Sequence, residues 1–354
     1  MAQITIIGLG QIGASIGLAL GGQKTALKRV GHDKRVDIER AAQNKGAVDE
    51  VNHNLPAAVR AADLVLLCLP ISQVRETLEI IKQDLKENAV VMDTAPVKSA
   101  VAEWAQELIP AGRYYVGLVP ALNPEVLHEP AFGLEAARAD LFQKGLMVID
   151  APSGTPDEVV QLASDLTRLL GAVPLLADLV ESDGLMASMH LLPQLAAAAL
   201  LNATVDQPGW QESRKLGGRP FAAVTAGLAY QDDIDALQMA ALQDRENIVR
   251  VLDTLIAALR GLRDDISNAD EEGVAAASSR RWKDATAGCV NGWRRIGRRV
   301  QRSRWMSRRS QNVSSVPPSS REPRRELLLL YRRMRGRDIL HRLDDRSRTA
   351  PENP

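Results

Sequence analysis

Short apolar runs alternate with amphipathic stretches through the first 95 residues of the chain. Ile4–Ile7, Leu27–Gly31, Ala62–Leu69 and Ala89–Met92 read as strands, and the third of these is apolar on both faces. Between them Ile12–Leu20, Ile38–Lys45 and Val74–Leu85 space their apolar residues as helices do. A strand apolar on both faces needs cover on both. The alternation therefore predicts an α/β, Rossmann-type doubly wound sheet with helices on either side. Weaker signals continue the pattern, with strands expected at Tyr114–Leu118, Leu146–Ile149 and Val173–Leu176. A helix is expected over Pro156–Leu170, with Thr155 as its N-cap and Gly171 as its stop.

The grammar changes at about Asp178. Residues 178–266 carry long helical runs and few strand signals, including the very apolar Ala187–Ala203 and the amphipathic stretch Ile234–Leu262. A helix as apolar as Leu195–Leu201 belongs where it is covered all round. So short a segment has too few other helices to cover it, which points to an all-helical dimerisation domain and a homodimer. The expected division is a dinucleotide-binding domain over residues 1–177 with its core in 1–95, a helical dimerisation and substrate domain over 178–270, and a basic tail over 280–354.

Charge sharpens that last boundary. The formal net charge is zero, with 44 Lys and Arg against 44 Asp and Glu. Residues 280–354 hold 21 of the basic and 7 of the acidic residues, which leaves 23 against 37 in residues 1–279. The tail carries Arg-Arg pairs at 280, 294, 298, 308, 324 and 332 and Ser-Ser and Pro-Pro clusters at 314–320. Three readings fit it: a disordered basic segment, the non-native product of a shifted reading frame, or a nucleic-acid contact. The last is disfavoured, because no aromatic interleaving or folded motif accompanies the charge.

Other classes drop away. Cys68 and Cys289 form no disulfide framework and have no neighbours at metal-ligand spacing, so no metal is expected. The chain enters a strand almost at once, unlike a signal peptide. No uninterrupted apolar run approaches the length of a bilayer span. A cytoplasmic protein without membrane segments is expected.

The candidate chemistry begins at Gly8-Leu9-Gly10-Gln11-Ile12-Gly13, a GxGxxG that directly follows a strand and opens a helix. In that context Gly8 permits the tight turn, Gly10 lets backbone approach a pyrophosphate, and Gly13 lets helix and sheet pack closely. Phosphates would lie at the helix N-terminus, where unpaired N–H groups point outward. Asp33 lies 25 residues after Gly8, the place of the acid that holds the adenosine ribose hydroxyls. A carboxylate there repels a 2′-phosphate and favours NAD over NADP, while Lys34 and Arg35 pull the other way. Leu69, Pro70 and Val74 follow the strand that starts at Asp63 and are expected to line the cofactor. Thr94 and Lys98 close the next strand, on the nicotinamide and substrate side.

These segments together resemble the prephenate/arogenate dehydrogenase family. The resemblance rests on Gly8–Ser15, on Asp93-Thr94-Ala95-Pro96-Val97-Lys98, on Gly117-Leu118-Val119-Pro120 and on Leu191-Leu192-Pro193-Gln194, and it spans residues 3–266. It implies NAD(P)-dependent hydride transfer with decarboxylation of a cyclohexadienol carboxylate, on the route to tyrosine, in a dimer built through helices. The chemistry is where the chain departs. Pro96 stands where the family has serine, and Val119 stands where it has the histidine thought to take the hydroxyl proton, which valine cannot do. The family's Ser-His-Leu-Pro-His is here Met189-His190-Leu191-Leu192-Pro193-Gln194, so His190 lies one place early and Gln194 replaces the second histidine. Ala226 follows Thr225 where the family places a carboxylate-binding arginine, and Arg219 lies upstream. The catalytic candidates are therefore His190, Lys98, Gln194 and Arg219, with Asn123 as a further polar contact. The alternatives are a dehydrogenase of this fold on a different hydroxy acid, or a catalytically silent NAD-binding dimer.

Overall fold

The structure is a computed structural model and describes residues 2–21, 27–127, 129, 131–229 and 234–277. Its centre is one eight-stranded sheet: β1 (Ala2–Ile7), β2 (Leu27–His32), β3 (Glu50–Val51), β4 (Leu64–Leu67), β5 (Val90–Asp93), β6 (Tyr114–Pro120), β7 (Leu146–Asp150) and β8 (Val173–Ala177). The order across the sheet is β3-β2-β1-β4-β5-β6-β7-β8. Strands β1 to β6 are mutually parallel, β7 runs antiparallel to β6, and β8 is parallel to β7. All seven strands expected from the apolar pattern are present. The eighth, β3, is an edge strand of two residues and too short to leave a periodic signal.

Helices α1 (Gln11–Gly21), α2 (Val36–Asn44), α3 (Leu55–Val59), α4 (Ile71–Ile81), α5 (Lys98–Leu108) and α6 (Asp157–Leu169) cover the sheet. Helix α6 starts one residue later than expected. Pro156 is its N-cap, and the Thr155 hydroxyl donates back to the Pro152 carbonyl at 2.7 Å. The period of two along each strand sorts the core into two layers. Ile4, Ile6, Leu64, Leu66, Val90 and Met92 face the side of α1 and α6, while Ile7, Val65, Leu67 and Val91 face α4 and α5.

The remaining helices are α7 (Leu179–Met186), α8 (Leu192–Val205), α9 (Trp210–Ser213), α10 (Arg219–Ala229), α11 (Ile234–Gln243) and α12 (Arg245–Ser267). A π-helical turn, Ala187–Leu191, joins α7 to α8. The single amphipathic stretch expected over Ile234–Leu262 is two helices, parted at Asp244. Ala187, Leu191, Ala240, Ile248 and Val251 join the core layer of α4 and α5, so this helical part sits on one face of the sheet.

By length and composition alone, Leu179–Val205 is apolar enough to cross a membrane, with a mean hydropathy of 1.4. The rule of uninterrupted runs did not find it, because Glu181, Asp183, His190 and Gln194 interrupt the apolar residues. The tail over 280–354, with Cys289 and His341, lies outside the described residues, as does His128.

Candidate active site

At the carboxyl edge of β1 and β4 lies a cleft of about 900 Å³, lined among others by Gly8, Leu9, Gly10, Asp33, Leu69 and Pro70. The sequence dictates its shape. Gly8 has φ +90°, and a Cβ there would stand 2.3 Å from the Cys68 carbonyl oxygen. A Cβ on Gly13 would stand 2.0 Å from the Gly8 carbonyl oxygen, so α1 packs as closely as predicted. Around Gly10 nothing lies within 4 Å of the Cβ position, and the loop backbone faces open space there. Asp33 is held in place: Oδ2 accepts from Leu9 N at 2.9 Å and Oδ1 from Arg35 N at 3.0 Å. Arg35 pairs with Asp37, while Lys34 lines the cleft.

Other expected cofactor residues divide. Gln11 and Ile12 open α1, half-buried behind the loop. Thr94 is half-buried, and its backbone N–H donates to the Leu67 carbonyl at 3.0 Å. Val74 does not line the cleft. It is fully buried in the core layer beneath α4, because four residues of helix turn it toward the sheet.

Lys98 also falls elsewhere than expected. Its side chain is fully buried, with Nζ 2.8 Å from Asp93 Oδ2 and 3.2 Å from the Asp93 carbonyl oxygen. A substrate carboxylate could reach this ammonium only by breaking a dry ion pair. The Lys98 stem runs beside β6, where a Cβ on Gly117 would stand 2.6 Å from Lys98 Cδ. That close approach is the physical reason for the glycine of Gly117-Leu118-Val119-Pro120.

Around this pair the structure assembles a polar network that sequence spacing did not show. Tyr115 donates its hydroxyl to Asp93 Oδ1 at 2.6 Å, and Ala95 N donates to Asp93 Oδ2 at 2.7 Å. Burial, then the Asp93 charge, pushes the Tyr115 phenol well above its ordinary pKa. From α7, Asp183 accepts Lys98 N at 2.5 Å and Ser99 N at 3.0 Å, and so caps α5 from across the molecule. Next to it Ser182 Oγ donates to Asp150 Oδ1 at 2.7 Å. The other Asp150 oxygen is buried with no hydrogen-bond partner among the described residues, and desolvation pushes this carboxyl up to about 6. The one available signal was the trio Glu181-Ser182-Asp183, polar residues on an otherwise apolar helix.

His190 sits on the π-helical turn, with its side chain open to solvent at the surface. It is not among the residues that line the cleft. Gln194 does not meet the ring. Its amide donates to the His190 backbone carbonyl at 2.8 Å. Arg219 opens α10, exposed. Asn123 is spoken for, since its side chain accepts from Glu125 N at 3.1 Å and caps a 3-10 turn.

Residues 16–176 match the family model "Prephenate dehydrogenase, nucleotide-binding domain". The cyclohexadienyl dehydrogenase of Zymomonas mobilis is 27% identical over 277 residues, which cover 75% of this chain and 89% of that protein. The prephenate dehydrogenase of Lactococcus lactis is 30% identical over 237 residues, which cover 66% of this chain and 60% of that protein. Among solved structures, prephenate dehydrogenase from Aquifex aeolicus, in complex with hydroxyphenyl propionate and NAD+, superposes with a TM-score of 0.70 at 21% identity, over 81% of this chain and 98% of that one. In sequence at moderate identity, and in fold, this chain is similar to the prephenate/arogenate dehydrogenases.

Proposed function

We propose that the chain is an NAD-dependent dehydrogenase of a small cyclic carboxylate, of the prephenate or arogenate kind. The observation that carries this reading is the cleft itself. The N-terminus of α1, the open backbone at Gly10 and the anchored Asp33 stand in the order that a dinucleotide requires. Nicotinamide supplies the hydride acceptor when it is bound; what remains for the chain is binding, orientation and one proton. Asp33, fixed by Leu9 N, meets the adenosine ribose and disfavours a 2′-phosphate. His190, the histidine of the helical part, takes the hydroxyl proton in place of the histidine that the family carries at Val119. Lys98 acts indirectly, holding β5, α5 and β6 in register beneath the site.

A second reading, a catalytically silent NAD-binding dimer, is favoured by one observation. Val119 and the buried, paired Lys98 leave the expected catalytic edge without a free polar side chain at those two positions. One experiment separates the two. NAD binding is measured by calorimetry, and NADH formation at 340 nm is followed with prephenate and with arogenate. Turnover that falls at least about a hundredfold in kcat in His190→Ala, with NAD affinity kept, is the expected result for a general base. Tight NAD binding with no turnover of either compound would overturn the enzymatic reading and leave the silent dimer. Failure to bind NAD would overturn both.

A further inference from the structure

At the adenosine end of the cleft, three segments bring together side chains that are far apart in sequence. His32 ends β2, Glu39 lies in α2, and His53 follows β3. Their donor atoms all lie within 4.8 Å of one another. Nδ1 of His53 is 3.2 Å from Glu39 Oε1, and Nδ1 of His32 is 3.5 Å from the same oxygen. His32 Nδ1 is also 3.0 Å from the Asn52 carbonyl oxygen. Glu39 is only 2% exposed, and among the described residues its ion pairs are both with histidine.

These separations decide what the cluster is suited to. A charge-assisted N–H···O bond closes to about 2.7–2.9 Å, and the imidazole nitrogens stand further from the carboxylate than that. Donors that share one ion at about 2.0–2.1 Å, in tetrahedral array, lie about 3.3–3.4 Å apart. The two nitrogen-to-carboxylate separations fit that figure, and the Asn52 carbonyl oxygen beside His32 Nδ1 could join the ion as a further ligand. Two imidazoles and one carboxylate suit a borderline divalent ion better than a hard one. A buried carboxylate also needs positive charge beside it, which a bound ion supplies directly. His53, at 55% side-chain exposure, leaves an entry path.

We propose that His32, Glu39 and His53 form a binding site for a divalent transition ion of the zinc type, which clamps the end of β2 to α2 and to the loop after β3. The site adjoins the dinucleotide cleft, because the Asp33 backbone N–H donates to the same Glu39 oxygen at 3.0 Å.

The test uses the full chain after chelator treatment, titrated with Zn2+ by calorimetry and with Co2+ by visible absorption, with Tm followed in parallel. One saturable equivalent, a Co2+ ligand-field band and a raised Tm are expected. His53→Ala removes a half-exposed ligand and spares the fold, as an unchanged Tm in chelator verifies. It should weaken binding at least about tenfold, since even removing a partner outside the ligand set costs that much. Glu39→Gln keeps the size of the side chain and should abolish the band. Absence of saturable binding, or equal affinity and equal Tm shift in wild type and His53→Ala, would overturn the proposal. The second outcome would assign the ion to other donors of the chain.

Discussion

Asp150 shows at the scale of one residue how the fold sets chemistry. It closes β7 opposite Gly117, fully buried, and one carboxylate oxygen has no partner among the described residues. Desolvation raises its pKa from 3.8 to about 6. The folded chain therefore holds a proton between about pH 4 and pH 6 that the unfolded chain releases. The stabilisation from this group is complete below the unfolded value and is lost as pH rises through the folded one. Asp150→Asn should flatten this decline and raise Tm at pH 8. The gain is on the order of 2–3 kcal/mol at most, from a shift of about two pH units. A Tm against pH profile that is identical in wild type and variant between pH 4 and 8 would show that Asp150 titrates normally.

At the scale of elements, the joint between α5 and α7 carries the most information. Helix α5 has Val97 at its N-cap position, a residue that cannot accept a hydrogen bond through its side chain. Asp183 supplies what is missing, one oxygen to each of the first two amides, from a helix 85 residues along the chain. The same turn of α7 presents Ser182 to Asp150. Removing the carboxylate leaves two N–H groups without an acceptor at a largely buried joint. Asp183→Ala should cost about 2–4 kcal/mol by denaturant unfolding, combining a lost cap with unsatisfied donors. Asp183→Asn, which keeps one acceptor, should recover part of it. A loss below about 0.5 kcal/mol would mean that the cap is replaceable by water.

For the whole molecule, the question is what covers the helical part. Val180, Leu185, Met189, Val224, Ile256 and Leu259 are exposed large apolar side chains on α7, the π turn, α10 and α12. Only 17% of the apolar window in Leu179–Val205 is buried. Exposed apolar side chains on these helices are what a contact face would use, and we propose a second copy of the chain as their cover. Sedimentation velocity should give a dimer at micromolar concentration, persisting in high salt because apolar burial rather than charge drives it. A monomer across that range would exclude a homodimer.

Much of the fold was legible in the residues alone, for a local reason. Strand period, helix period and the glycine loop are written within a few residues of one another. All seven expected strands and the turn at Gly8 could be read without long-range information. Asp33 could be singled out because a motif fixes its distance along the chain from Gly8. What tertiary structure alone decided are the places where distant segments meet. Lys98 looked like a cation at a strand edge, and the fold buries it against Asp93 beneath Gly117. Val74 looked like a cleft residue, and helix phase turns it into the core. His32, Glu39 and His53 have no motif spacing, yet β3, an edge strand of two residues, brings them together. Periodicity records which face of an element is dry. Which charges share that dry space is settled only when the elements pack, because burial and the distance between charges set the energy of a charge, and sequence order fixes neither.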